Sequence, residues 1–257
     1  MKLVSRAVMM CAVLAIAVVA PSIARAQAAP AGWIWDVNSV NPGTVGSYTD
    51  FTTSFVADNT SEYVSFAFRE TPAFWAFDDP SVVNGTTGSS LNLLADPTFA
   101  GSTYGQNCDH GNSLGCPPGW GAWIEAVDVS FIGQIATSTS PYDCPIGPST
   151  GTNFWCDGSV QGYDALYQDL TGLIVGDTYD ISFYLQDNSG QSTTSATSAN
   201  CTVSGDSCID ALVYAGDSLP IGSIPIGATP EPSSFIMLGT GMFGLVTAYR
   251  GRRGRKA

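Results

Sequence analysis

The chain has 257 residues and carries 22 acidic against 9 basic side chains, a formal charge of −13. Eight of the nine basic residues lie before Gln27 or after Thr229, so the segment between holds 21 acids and Arg69 alone, about twenty net negative charges. Nucleic acid and anionic lipid headgroups are excluded as partners of that segment, because binding either requires Lys and Arg to displace counterions. Neutral sugars and divalent cations remain compatible with it.

At the N-terminus, Lys2 and Arg6 precede an apolar run from Ala7 to Ala20, closed by Pro21, and Ala24-Arg25-Ala26 follows. A basic region, a short apolar region and a small-x-small site specify Sec-type export, with cleavage expected after Ala26 (signal peptide 1–26). Cys11 lies inside the apolar run, so no lipid-modified cysteine is expected.

The body, 27–229, has room for one β-domain of about 200 residues. Alternation of apolar and polar residues predicts strands at Phe51–Ala57, Tyr63–Arg69, Ala122–Phe131, Ala165–Leu170, Tyr179–Leu185 and Ile209–Tyr214. Tyr179, Ile181, Phe183 and Leu185 fall on one side and Asp180, Ser182 and Tyr184 on the other, the period of a half-buried strand. Gly176-Asp177 predicts a hairpin between Leu170 and Tyr179, and the Ser/Thr-rich stretch Ser189–Ser198 reads as a mobile loop. Short strands separated by Gly/Ser/Thr/Pro loops argue for an all-β antiparallel sandwich of jelly-roll type.

Six cysteines remain after Cys11 is removed, an even count that points to disulfides in an exported chain. The sequence-local pairing Cys108–Cys116, Cys144–Cys156 and Cys201–Cys208 is the expectation among 15 possible connectivities. Zinc is excluded by ligand spacing and compartment, and the single histidine, His110, sits in the first of these cysteine loops.

The C-terminus reads Pro230-Glu231-Pro232-Ser233-Ser234, an apolar stretch Phe235–Tyr249, then Arg250, Arg252, Arg253, Arg255 and Lys256. The basic residues keep the tail cytoplasmic and the body outside. At about 1.5 Å per residue the apolar stretch covers roughly 22 Å, short for a permanent transmembrane helix and suited to a transient anchor. This order resembles the sorting signal of PEP-CTERM proteins, over about a tenth of the chain. The resemblance implies recognition of Pro230, Glu231 and Pro232 by an exosortase in the inner membrane of a Gram-negative bacterium. It also implies stop-transfer charges at Arg252, Arg253 and Arg255, and export in association with extracellular polysaccharide.

Within the body, Asn92-Leu93-Leu94 with Asp96-Pro97-Thr98-Phe99 and Pro117-Pro118-Gly119-Trp120 resembles the opening strand of galactose-binding-like jelly rolls. Tyr167–Leu170 with Tyr179–Phe183 resembles their central pair, and Tyr63–Arg69 with Phe77–Val82 their closing strands. Pro80 stands where that pattern has a valine, and the closing pattern precedes the opening one, which suggests a circular permutation or two incomplete modules. The resemblance further implies a structural calcium at strand edges, for which Asp78, Asp79, Asp96 and Asp210 are the oxygen donors; no Asp-x-Asp-x-Asp-Gly loop accompanies them.

Catalysis is not expected. One histidine and one arginine support no Ser-His-Asp or Cys-His arrangement, and abundant carboxylates do not single out a glycosidase pair. Trp33, Trp35, Trp75, Trp120, Trp123 and Trp155 lie near predicted loops, where rings stack on sugar faces or fill the core. Trp75 and Trp155, each beside turn residues and an acid, are the expected ligand-binding pair. The reading is an exported surface or matrix protein that contacts polysaccharide; the rivals are a structural matrix protein without a ligand and a secreted glycan-active enzyme.

Overall fold

A computed structural model describes residues 32–220 apart from 41–43, 72, 109–114, 126–132, 140–143, 145–148, 160–161, 188 and 194–207. Alternation is the organising feature. In the strand Thr49–Val56, Phe51 and Phe55 are buried while Asp50, Thr52, Ser54 and Val56 are exposed, as a strand with one face on a core requires.

The elements in chain order are β1 (Trp35–Asp36), a single helical turn α1 (Val37–Val40), β2 (Thr49–Val56), β3 (Ser61–Glu70), β4 (Trp75–Asn84), β5 (Gly121–Ile124), β6 (Gln134–Thr137), β7 (Asn153–Asp157), β8 (Asp164–Thr171), β9 (Thr178–Asp187) and β10 (Ile209–Gly216). They form two five-stranded antiparallel sheets, β1-β10-β3-β8-β5 and β2-β9-β4-β7-β6. The pairing is nested: β1 with β10, β2 with β9, β3 with β8 and β4 with β7. Successive strands of each half therefore alternate between the sheets, as in a long hairpin wrapped into two layers.

The layers meet on aromatic rings. Phe66 of the first sheet lies 4.8 Å from Phe77 and 5.4 Å from Phe183 of the second, and Trp35 meets Phe183 edge-on at 5.0 Å. Each such pair contributes about 0.5–1.5 kcal/mol beyond the area it buries. The outer face of the first sheet is also covered: Trp33, Trp123 and Tyr163 pack on Ala67, Ala165 and Leu212, where alanines leave room for the rings.

The structure corrects two expectations. Leu170 and Tyr179 do not belong to one hairpin, because β8 and β9 lie in opposite sheets and the turn, closed by Asp177 N–H to the Ile174 carbonyl at 3.0 Å, crosses the sandwich. Both strands point Leu166 and Ile181 into one core, and a period of two does not reveal which sheet a strand joins. Nor is Asn92–Leu94 a strand: the Asn92 side chain accepts from Val82 N–H and donates to the Pro80 carbonyl, bracing β4. Tyr63–Arg69 and Phe77–Val82 fall in β3 and β4, interior to their sheets. Of the strand expected at Ala122–Phe131, β5 covers the start, and 126–131 fall outside the described residues, as do 194–198 of the Ser/Thr loop.

No helix among the described residues is long and apolar enough to cross a membrane; 1–26 and 230–257 fall outside them.

Candidate functional site

The second sheet turns the β2 and β9 part of its outer face to solvent, whereas Ala76, Phe154 and Cys156 are buried on the β4 and β7 part. Across that face three rows run from the edge strand inward: Asp50, Tyr184 and Asp78; Thr52, Ser182 and Ser81; Ser54, Asp180 and Val83. Thr52, Ser54, Asp180, Ser182 and Val83 line an open groove of ≈ 430 Å³. A Cβ on Gly85 would come within 2.3 Å of Asp180 Oδ2, so glycine makes room for that carboxylate.

Further along β4 the ladder is interrupted by an irregularity. Proline cannot donate to a ladder and enters a central strand only at a bulge. Pro80 does so: the register of β4 against β9 shifts between Asp78 and Ser81, and Asp79 adopts φ 48°. The bulge presents two carboxylates to the loop that follows Cys144. Asp78 accepts from Asp79 N–H at 2.9 Å, Ser149 N–H at 3.0 Å, Ser149 Oγ–H at 3.2 Å and Thr150 N–H at 3.4 Å. Asp79 accepts from the hydroxyls of Ser149 and Thr150. Burial, then the charge of Asp79, pushes Asp78 up to about 7 against these donors. The Tyr48 hydroxyl is enclosed without a hydrogen-bond partner, and burial followed by the charges of Asp78 and Asp79 raises its pKa above the ordinary phenol value.

The tryptophans take the opposite role from the one expected. Trp75 and Trp155 are both fully buried in the main core. Trp75 Nε1–H donates to the Arg69 carbonyl at 3.1 Å and Trp155 Nε1–H to Asp157 Oδ2 at 3.0 Å. Neither ring offers a face to a sugar, because each completes the apolar layer at a strand position facing the other sheet; Trp33, Trp35, Trp120 and Trp123 are buried too.

The four aspartates expected to share calcium are dispersed. Asp78 and Asp79 are neighbours on the bulge, whereas Asp96 closes its own turn on Gly101 N–H and Ser102 Oγ–H. Asp210, in the other sheet, accepts from Tyr163 Oη–H at 2.8 Å and Asn38 Nδ2–H at 3.4 Å. Among the described residues no three His, Cys, Asp or Glu side chains come together in a way that could hold a metal ion.

Cys108–Cys116 and Cys144–Cys156 are disulfides as expected. Cys208 is disulfide-bonded, and Cys201, like His110, falls outside the described residues. Thr52, Ser54, Asp180 and Ser182 carry no motif in the sequence; their signal is the polar position of an alternating strand, which marks the wet side of a core whether or not a groove lies there.

Against known proteins, a model of the PEP-CTERM protein-sorting motif matches residues 228–253. No curated protein and no solved structure matches the chain. The match takes in Pro230, Glu231, Pro232, Arg252 and Arg253, with Arg255 just beyond it, and it supports an exported protein sorted by an exosortase.

Proposed function

We propose that the chain is made with a cleaved signal peptide, held at the inner membrane by its C-terminal segment, processed by an exosortase, and displayed as a non-catalytic jelly roll that contacts neutral extracellular polysaccharide. The sorting motif at 228–253 is the observation that carries the route. The nested strand pairing favours the jelly roll, and a galactose-binding-like relationship is its narrower form.

Polysaccharide contact belongs to the outer face of the second sheet. Its hydroxyls donate and accept, Asp180 accepts, and Tyr184 supplies a half-exposed ring, which is the chemistry that sugar hydroxyls and ring faces require. Anionic glycans are disfavoured, because Arg69, the one basic side chain between Gln27 and Thr229, is fully buried. A second reading, a structural matrix protein without a specific ligand, draws support from the burial of all six tryptophans.

Intact mass and fractionation in a host with and without a functional exosortase test the route. Loss of the segment after Pro232 only when the enzyme is present is the expected result. An intact membrane-held tail in both hosts would make the C-terminus an ordinary anchor.

A further inference from the structure

The end of the sandwich where β3 stops is lined with buried charge. Arg69 and Glu70 close β3, Asp210 opens β10 opposite Arg69, Asp164 opens β8 opposite Phe68, and Asp157 and Asp187 end β7 and β9 on either side of Trp75. All six charged side chains are fully buried. The two sheets are drawn together here by Trp75 Nε1–H on the Arg69 carbonyl and by Glu70 N–H on the Ser159 carbonyl at 2.7 Å.

Glu70 and Asp187 both fall on the inward faces of their strands at this junction, one from each sheet: Glu70 is in step with Phe66 and Phe68, and Asp187 is paired with the buried Trp75. Asp187 is held as an acceptor: Ser189 N–H donates to Oδ1 at 2.7 Å and Ser189 Oγ–H to Oδ2 at 2.8 Å. Neither carboxyl oxygen of Glu70 accepts a hydrogen bond at normal geometry. A buried carboxylate with little more than the Ala73 backbone to solvate it is costly, whereas a protonated Glu70 has an acceptor in Asp187. We propose that one proton, carried by Glu70 and donated to Asp187, clasps the two sheets at this end, and that the clasp is lost as the medium turns alkaline.

Burial, then the charge of Asp187 and the hydrogen bond to it, pushes Glu70 up to about 9 from 4.5, opposed only by the Ala73 backbone. A carboxyl raised on folding stabilises fully below its unfolded value and loses that contribution as pH rises through the folded one. The relevant window is therefore pH 4.5 to about 9. Within it the unfolded chain has released this proton and the native one has not, so the site lowers the folded-to-unfolded ratio about tenfold per pH unit.

The test is thermal and urea unfolding of the full, disulfide-intact chain from pH 5 to 10, with Glu70→Gln and Asp187→Asn alongside. Gln keeps a donor toward Asp187 and cannot titrate, so Glu70→Gln should flatten the fall in stability across this window relative to the parent. Asp187→Asn removes the charge that holds the proton and should move the fall to lower pH. The parent protein itself should show a carboxylic-acid C=O stretch by infrared spectroscopy at pH 8, above the range in which Asp78 holds its proton, and Glu70→Gln should lose it. An unchanged pH slope in Glu70→Gln, or no such band in the parent, overturns the clasp.

Discussion

The two faces of the second sheet come from the same strands and do opposite things. Phe51, Phe183, Ile181 and Val82 point inward and are buried, while Thr52, Ser54, Asp180 and Ser182 point outward beside an open groove. One-residue alternation separates what holds the fold from what meets solvent. Large rings near turns are thus poor guides to the exposed surface here, since all six tryptophans are buried.

If that division holds, the inner face should dominate stability. Trp155→Ala empties a fully buried site and removes the hydrogen bond to Asp157. A loss of about 3–5 kcal/mol in urea unfolding is expected. A loss near zero would mean that the ring is exposed in solution and would return Trp155 to the ligand candidates. The packing around it is close: a Cβ on Gly133 would approach its Cζ2 within 2.3 Å.

Removing the second disulfide probes the boundary between the faces. Cys144–Cys156 closes a loop of sequence separation 12 and anchors the stretch from which Ser149 and Thr150 reach Asp78 and Asp79. Cys144→Ser with Cys156→Ser should cost about 2–4 kcal/mol. It should also bring the Asp78 carboxyl, followed by NMR, closer to an ordinary aspartate value, because the loop that covers it is released.

Asp78→Asn should act on slope more than on depth. Asp78 is raised from 3.8 to about 7, so its contribution is complete below 3.8 and is lost as pH rises through about 7. The variant should show a shallower fall in stability between pH 4 and 7 than the parent. An identical profile would mean that Asp78 is ionised throughout, held by its four donors.

Five strands were legible in the sequence: β2, β3, β8, β9 and β10 each fall where alternation of apolar and polar residues places them, although the outer side of β3 and much of β10 are covered, not wet. β7 was missed because Phe154, Trp155 and Cys156 are buried in succession, leaving no polar alternate to mark the period. Phe154 lies under Ala76, Ala136 and Cys156 on the outer side, and Trp155 in the main core. Sheet membership was not legible, because antiparallel partners here are up to 178 residues apart, as Trp35 is from Val213. The buried acids were equally silent: Glu70 and Asp187 resemble any other acid of a highly acidic chain until the two sheets bring them together. Local cysteine pairing succeeded in both described cases because each bridge spans a single loop. The sorting signal was legible for a different reason, since it is a linear motif recognised without a fold.

The smallest expected effect on stability is the one that tests the outer face most directly. Asp180 is exposed in the middle of β9, with Ser54 and Val83 beside it and the Gly85 backbone beneath its carboxylate. Asp180→Asn with Ser54→Ala changes no core contact, so unfolding should move by no more than about 0.5 kcal/mol. A groove that binds sugar through these groups should lose retention on immobilised neutral polysaccharide in the same double variant, while Trp155→Phe, which keeps the core filled, should not. Equal retention by the parent and the double variant would move any saccharide contact off this face; no retention by the folded parent would favour the ligand-free matrix role. Stability and retention can be read separately in these variants because alternation places Asp180 and Ile181 on opposite sides of one strand.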